Sequence, residues 1–154
     1  MAGTPIDASI LRRWTVGPLG AIRSRWGRDE LDQAERTTAE QLVQDLDTAV
    51  SIGGRLTEKI QALAEPQPLA NAASVCRWEL LVLRQRLLES DVVPRFRGVR
   101  SQIARHLEGA AAAARIMSNG YRFHNLHSIC DGGQALDGHL EALARLRSRL
   151  DSAA

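Results

Sequence analysis

The side chains best suited to bind a metal ion or move a proton fall in the second half of the chain. His124, His127 and Cys130 follow one another at intervals of three residues, and His106 lies further upstream. Imidazole and thiolate groups are common ligands of transition metals. Residues three apart on one helix advance both along and around its axis, so these side chains do not converge on one ion. Because the Glu-x-x-His pairs of di-iron bundles and the Cys-x-x-Cys-His motif of covalently bound haem are also absent, the sequence predicts no metal site and no cofactor.

A second pattern joins an arginine to a histidine over a short interval. Residues 122–127 read Arg-Phe-His-Asn-Leu-His. This segment resembles the Arg-x4-His motif of the HEPN nucleases, which are also small helical bundles. The resemblance implies a metal-independent RNase in which a dimer brings two such pairs together. Arg122 would then bind the scissile phosphate and His127 would transfer the proton. The sequence contains no phosphate-binding loop, dinucleotide-binding glycine run or nucleophile elbow.

Four stretches with apolar residues at alternating spacings of three and four predict the helices that carry these side chains. The runs are Leu42–Leu63, Leu69–Leu87, Phe96–Met117 and Leu126–Leu143. Such spacing is the seam along which helices pack against one another. Turns are predicted at Pro66–Pro68, before Pro94 and at Asn119–Gly120, giving helices at about 29–65, 69–90, 94–118 and 121–150. Because short connections join antiparallel neighbours, we expect an all-α, antiparallel up-down four-helix bundle.

The chain of 154 residues is predicted to consist of this bundle and a short extension. Residues 1–28 are interpreted as a basic helical N-terminal arm, and residues 29–154 as the bundle. No run of about 18 apolar residues is present, so a membrane span is not expected. Cys76 and Cys130 both lie in helical runs and are expected to be reduced, half-buried thiols. The absence of a membrane span and of an apolar leader predicts a cytoplasmic protein.

Counting residues from the helix ends predicts one unusual layer in the core. At ~1.5 Å per residue, Gly53, Leu80, His106 and Gly133 lie at the same depth from the end that holds two of the turns. Glycine within a helix costs about 1 kcal/mol relative to alanine. The glycines could therefore mark close helix packing, or room for a bulky neighbour such as Trp78 or the His106 ring. The other interpretations are a small-ligand pocket, or a lone polar residue that sets the register of the helices.

Charge is divided unevenly along the chain. Residues 1–28 carry a net charge of +4, residues 29–65 of −6 and residues 94–124 of +5. The opposite charges could neutralise one another inside the molecule, or form complementary surfaces for a protein partner or for self-association. The third interpretation is a nucleic-acid surface in which arginines surround aromatic residues. Its candidate residues are Arg12, Arg13, Arg23 and Arg25 in the arm, and Arg95, Arg97, Arg100 and Arg105 at the start of the third helix.

These patterns favour a non-enzymatic role. We expect an adaptor or accessory subunit of a larger assembly, with a protein partner or a second copy and with nucleic acid as a further candidate partner. The alternative is the HEPN-like RNase that uses Arg122 and His127. The third hypothesis is a bundle with a small-ligand pocket at the Gly53, His106 and Gly133 layer.

Overall fold

Four long helices make up nearly all of the described chain. The computed structural model describes residues 32–153, in which no strand occurs. The helices are α1 (Gln33–Ala62), α2 (Pro66–Glu89), α3 (Arg97–Arg122) and α4 (Leu126–Ala153), with a short 3-10 helix, Pro94–Phe96, before α3. The prediction of an all-α fold with four helices packed against each other is confirmed for these residues.

The predicted basic arm lies outside the described residues. This applies to residues 1–28 and therefore to Arg12, Arg13, Arg23 and Arg25. Among the helices that the structure does describe, none has the length and the apolar character needed to cross a membrane.

The first two helices begin at residues that either accept a hydrogen bond from a free backbone N–H or lack that N–H. The carboxylate of Asp32 accepts a hydrogen bond from the backbone N–H of Glu35 at 2.8 Å, which caps α1. Pro66 is the first residue of α2. The predicted tight turn at Pro66–Pro68 is therefore wrong. Proline fits the first turn of a helix, because the backbone N–H that it lacks would have no partner there. Those residues form the first turn of α2.

The connection between α3 and α4 comes about one helical turn later than predicted. Asn119–Gly120 does not stop α3, which continues to Arg122. A Cβ atom on Gly120 would lie 2.8 Å from Ile129 Cγ1 and 2.9 Å from the Ile129 backbone nitrogen, so this glycine allows α4 to approach α3. The chain instead reverses at residues 123–125, where His124 has a left-handed φ of 53°.

Most residues of the predicted heptad seams are buried in the core, but Leu63 and Leu126, at the ends of their seams, are 38% and 72% exposed. Every member of the α2 seam, from Leu69 to Leu87, is buried. Five alanines of α3 are buried as well, and their short side chains let neighbouring helices approach closely. Each helix packs chiefly against two others. Helix α3 packs against α2 and α4, and α1 packs against the same two helices. Trp78 is not part of this core, because 67% of its side chain is exposed.

Candidate functional site

An exposed row of apolar side chains lies on the solvent-facing side of α2. Trp78 is 67% exposed, Val82 is 52% exposed and Val75 is 48% exposed. Asn71 and Gln85 are also exposed and continue the same line towards the two ends of the helix. We call these five residues the α2 outer face. Contiguous exposed apolar side chains on a soluble domain mark contact sites more often than isolated ones do.

The spacing of the α2 outer face is that of a second helical seam. The intervals from Asn71 to Val75, Trp78, Val82 and Gln85 are four, three, four and three residues. This repeat keeps side chains on one side of a helix and is the pattern by which one helix packs against another. The inner seam of α2 accounts for the core, and the outer seam has no partner among the described helices. Our sequence predictions did not include it, although the same spacing rule would have found it.

Two of the predicted nucleic-acid-binding arginines are engaged within the chain. The Arg95 side chain is 5% exposed, and its Nη1 donates to Glu35 Oε2 at 3.1 Å. Its guanidinium also lies 5.7 Å from the ring centroid of Phe96. Arg100 Nη1 donates to the backbone carbonyl of Ser90, the C-cap residue that follows α2, at 2.9 Å. These two arginines anchor the segment that leads into α3.

The other two arginines of this group face solvent. Arg97 and Arg105 are both exposed on α3, eight residues apart. With Arg95 turned inwards, the predicted cluster around Phe96 does not form one continuous basic surface. Phe96 itself is 5% exposed and cannot stack on a base. The structure therefore divides the predicted patch into an inner, structural pair and an outer, accessible pair.

Arg122 and His127 lie at the two ends of the α3–α4 turn. Arg122 is the last residue of α3, and His127 is the second residue of α4. Both are exposed, and no hydrogen bond joins them. His127 Nε2 instead lies 3.1 Å from Asp131 Oδ2 one turn along α4. Phe123 between them is 72% exposed.

The residues of the predicted glycine layer meet different partners. Gly53 packs against Leu140, since a Cβ atom at this position would overlap the Leu140 side chain. A Cβ atom on Gly133 would meet nothing within 4 Å, whereas one on Gly132 would lie 2.7 Å from Met117 Cγ. The structure therefore does not bring Gly133 to the level of His106. Because α3 ends later and α4 begins later than predicted, the residue of α4 opposite His106 is His139, about two turns beyond Gly133.

His106 and His139 form a direct contact between α3 and α4. Their Nδ1 atoms are 3.1 Å apart, and their ring centroids are 5.4 Å apart at an interplanar angle of 60°. Both residues are half-buried. Burial lowers the pKa of His106 below its ordinary value, and the neighbouring His139 and Arg105 lower it further. A neutral pair can share one hydrogen bond, with one Nδ1–H donating to the other Nδ1.

The two cysteines are free and lie in different environments. Cys76 is buried in α2, and burial together with the nearby Glu79 raises the pKa of its thiol to about 12. Cys130 is exposed on α4. The prediction of half-buried thiols is thus wrong for both cysteines. Cys76 is a core residue with an unreactive thiol. Within residues 32–153, no group of three or more His, Cys, Asp or Glu side chains is placed to hold a metal ion.

Comparison with known proteins identifies no relative. No protein-family model, no curated protein and no solved structure matches this chain. A functional proposal for this chain therefore depends on its own residues and their geometry.

Proposed function

We propose that this chain is a non-enzymatic helical interaction module, an adaptor or accessory subunit that assembles by packing its α2 outer face against the same face of a second copy. The observation that carries the proposal is an exposed seam with helix-packing spacing and a tryptophan at its centre. Tryptophan is enriched among the residues that dominate binding energy at protein interfaces. An exposed helical seam of this kind fits another helix better than it fits a small molecule.

The residue pattern of this face is self-complementary. Asn71 lies seven residues before Trp78 and Gln85 lies seven residues after it, with one valine between Trp78 and each end. Two copies of α2 packed antiparallel about a two-fold axis at Trp78 would place Val75 opposite Val82 and Asn71 opposite Gln85. Such an isologous interface joins identical patches and closes after two subunits. No charged residue is among the five positions, so no like charges would face each other along the seam.

The test is the mass of the native, full-length protein by light scattering during size exclusion. We expect twice the mass of one chain for the wild type and the mass of one chain for Trp78→Glu. Phe123→Ser is the matched control, because Phe123 is a similarly exposed aromatic residue that lies at the α3–α4 turn and not on α2. A monomeric wild type at high concentration, or a Trp78→Glu variant that remains dimeric, would contradict the proposal.

The same experiment distinguishes nucleic acid from a second copy as the partner. The ratio of absorbance at 260 and 280 nm reports nucleic acid that co-elutes with the protein. If the mass increase comes from nucleic acid and disappears in Arg97→Glu/Arg105→Glu, the basic surface is the interface and the proposal fails. These two arginines are chosen because they face solvent, whereas reversal of Arg95 would break its ion pair with Glu35.

Cross-linking tests the orientation of the two α2 helices. An equimolar mixture of Val75→Cys and Val82→Cys chains, each also carrying Cys130→Ser, should form more mixed disulfide dimers than either chain forms alone. An antiparallel interface brings position 75 of one copy to position 82 of the other. A preference for dimers of identical chains would instead indicate a parallel arrangement and contradict the proposed geometry.

We also propose that the four helices of each copy run antiparallel in up-down order. The contacts between neighbouring helices support this arrangement, because their partners run in opposite directions along the chain. Ser74 of α2 contacts Ser118 of α3, while Arg84, further along α2, pairs with Glu108, earlier in α3.

The free thiols support a reducing compartment such as the cytoplasm.

Metal-independent RNA cleavage is the second candidate function. Its supporting observation is that Arg122 and His127 are both exposed at one turn and that Asp131 can orient the His127 ring through Nε2. Their side chains would need the same residues of a second copy to form a complete site. Cleavage of labelled RNA by the wild type and its loss in His127→Ala would support this function. Cleavage that survives this substitution, or no cleavage at all, would exclude it.

A further inference from the structure

The side of the bundle where α2 meets α3 carries far more arginine than acid. Helix α3 contains five arginines and a single acidic residue, Glu108. We propose that the outer groove between α2 and α3 binds the phosphate backbone of single-stranded nucleic acid. The residues that would hold the phosphates are Arg77 and Arg84 of α2 and Arg115 and Arg122 of α3, which we call the α2–α3 basic row. None of them belongs to the α2 outer face, so this site stands or falls separately from the proposed self-association.

Two contacts define how α2 and α3 lie beside each other. Ser74 Oγ and Ser118 Oγ are 2.7 Å apart, and Arg84 Nη2 lies 3.6 Å from Glu108 Oε2. The step from the first contact to the second is ten residues forward along α2 and ten residues back along α3. The two helices therefore keep one antiparallel register over this stretch.

Arg77 and Arg115 occupy opposed positions in this register. Arg77 follows Ser74 by three residues, and Arg115 precedes Ser118 by three. Arg77 is half-buried, Arg115 is exposed, and within residues 32–153 neither guanidinium forms an ion pair or a hydrogen bond. Like charges that face each other across a contact are unfavourable. An anion bound between these two arginines would remove that repulsion.

The same spacing extends the basic row in both directions. Arg84 follows Arg77 by seven residues, and Arg122 follows Arg115 by seven. Seven residues are nearly two helical turns, about 10.5 Å, so each arginine stays on the same side of its helix. Arg84 pairs with Glu108, but its Nε is buried and has no hydrogen-bond partner in the described part of the chain. The groove thus presents four guanidinium groups along about 21 Å.

The side chains at this groove favour phosphate and an unpaired base as the ligand. Guanidinium groups bind phosphate oxygens with two parallel hydrogen bonds. Phe123 directly follows Arg122 and is 72% exposed, so one end of the row has an accessible aromatic ring. Proteins that bind single strands combine such a positively charged groove with aromatic rings on which bases stack. A carboxylate-rich protein segment would also pair with the arginines, but it would leave Phe123 without a stacking partner.

The experiment is a titration of labelled oligothymidylate with the untagged, full-length protein, followed by fluorescence anisotropy. A DNA probe of about 12 nucleotides lies within the usual range of single-strand site sizes, and RNA cleavage cannot affect it. We expect the logarithm of the binding constant to fall with the logarithm of salt concentration at a slope of about −3, because each phosphate contact on a single strand contributes about −0.7. Oligouridylate then shows whether RNA binds as well.

Reversal of the two opposed arginines tests the groove directly. Arg77→Glu/Arg115→Glu should lower the affinity about tenfold or more and reduce the salt slope to about −1.5. Arg97→Glu/Arg105→Glu is the matched control, because it reverses two exposed arginines of α3 that are not in the basic row. Its affinity should stay within about threefold of the wild type. Equal losses in the two double variants, or no binding at low salt, would overturn the proposal.

Phe123→Ser tests the preference for a single strand. Its affinity for oligothymidylate should fall about fivefold, the effect of losing one stacked base. Its affinity for a duplex should not change, and the wild type should bind the duplex more weakly than the single strand. Unchanged binding of oligothymidylate by this variant would overturn the proposal. So would tight binding of polyglutamate without binding of either oligonucleotide, because the partner would then be an acidic protein.

Thermal stability separates loss of binding from loss of fold. Arg77→Glu should melt no lower than the wild type, because its new carboxylate can pair with Arg115 across the groove. The same variant should bind oligothymidylate more weakly. A retained melting temperature with reduced binding would show that Arg77 serves a ligand, whereas a lower melting temperature with unchanged binding would contradict the proposal. Arg115→Glu, at the exposed position, gives the same comparison from the α3 side.

Discussion

At the scale of single residues, position along the chain is a poor guide to role. Arg95 and Arg97 are two residues apart and were predicted to serve the same surface. Arg95 is 5% exposed and pairs with Glu35, which fixes the start of α1 against the segment before α3. Arg97 faces solvent. Arginine is well suited to the inner position, because its planar guanidinium can pair with a carboxylate and lie over a ring at the same time.

Replacing Arg95 should destabilise the fold, and replacing Arg97 should not. Arg95→Gln leaves the Glu35 carboxylate without its partner in a half-buried position and should lower the free energy of unfolding by about 1–3 kcal/mol. Arg97→Gln, with the same change of side chain at an exposed site, should stay within about 0.5 kcal/mol of the wild type. Urea denaturation of the two variants measures both values. Equal stability of the two would show that the inner ion pair contributes nothing.

Asp45 is a second residue whose environment determines its behaviour. Its side chain is buried in α1, where Gln41 Nε2 donates to Oδ1 at 3.2 Å and Arg86 lies 3.9 Å away. Burial raises the pKa of Asp45 above 3.8, and the neighbouring Gln41 and Arg86 offset only part of this effect. Folding therefore disfavours the charged carboxylate.

Asp45→Asn should stabilise the protein at neutral pH. A raised pKa in the folded state means that stability is lost as pH rises from the ordinary value of 3.8 through the folded value. The advantage of this variant over the wild type should thus be full near pH 7 and should vanish by about pH 3. Thermal melts across this range measure the difference. Glu40→Gln, on the exposed side of α1, controls for the loss of one negative charge. A wild type more stable than Asp45→Asn at pH 7 would contradict the prediction.

At the scale of helices, glycines are separated into contact and non-contact positions by their neighbours. Gly132 faces α3, where a Cβ atom would lie 2.7 Å from Met117 Cγ and 2.9 Å from the carbonyl oxygen of Ala113. The adjacent Gly133 faces open space. The close approach of α3 and α4 therefore depends on one glycine of this pair, because a backbone carbonyl cannot move aside as a flexible side chain can.

The two alanine substitutions at this pair should have opposite effects. Gly132→Ala should destabilise by about 1–3 kcal/mol through overpacking against α3. Gly133→Ala should be neutral or should stabilise by up to about 1 kcal/mol, since alanine favours the helix and meets no atom. Urea denaturation of both variants gives the sign directly. Two effects of the same sign would mean that the register of α4 against α3 differs from that described.

At the scale of the whole molecule, part of the uneven charge is paired within the described residues. Acidic residues of α1 pair with arginines from the other parts of the fold, as Glu35 does with Arg95 and Asp47 with Arg147. An exposed ion pair such as that between Asp47 and Arg147 contributes little to stability. Their arrangement supports internal neutralisation, and it leaves the uncharged α2 outer face as the surface that the charges do not explain.

Self-association through that face should make the thermal stability depend on protein concentration. A dimer that forms only from folded chains is stabilised by mass action. The melting temperature of the wild type should therefore rise over a ~100-fold increase in protein concentration. Trp78→Glu should remove this dependence, while Phe123→Ser should preserve it. A wild-type melting temperature that does not change with concentration would contradict the proposed dimer.

The local features of this protein follow from its sequence, because the heptad period and the caps involve residues close together in the chain. The spacing predicted the four helices and much of the core, including the complete inner seam of α2, but not buried residues beside the seams such as Leu107, Leu146 and Leu150. It also contained the outer seam at Asn71, Val75, Trp78, Val82 and Gln85. Spacing alone does not say which of two seams on one helix is covered by the other helices.

Only the tertiary structure decided which residues of different helices meet. An error of one turn in where α3 ends and α4 begins moves the partner of His106 from Gly133 to His139. Burial of Arg95 likewise depends on the position of α1 beside the start of α3, 60 residues away in the chain. Helical periodicity is a property of each segment, whereas depth and pairing depend on how the turns set one segment against another.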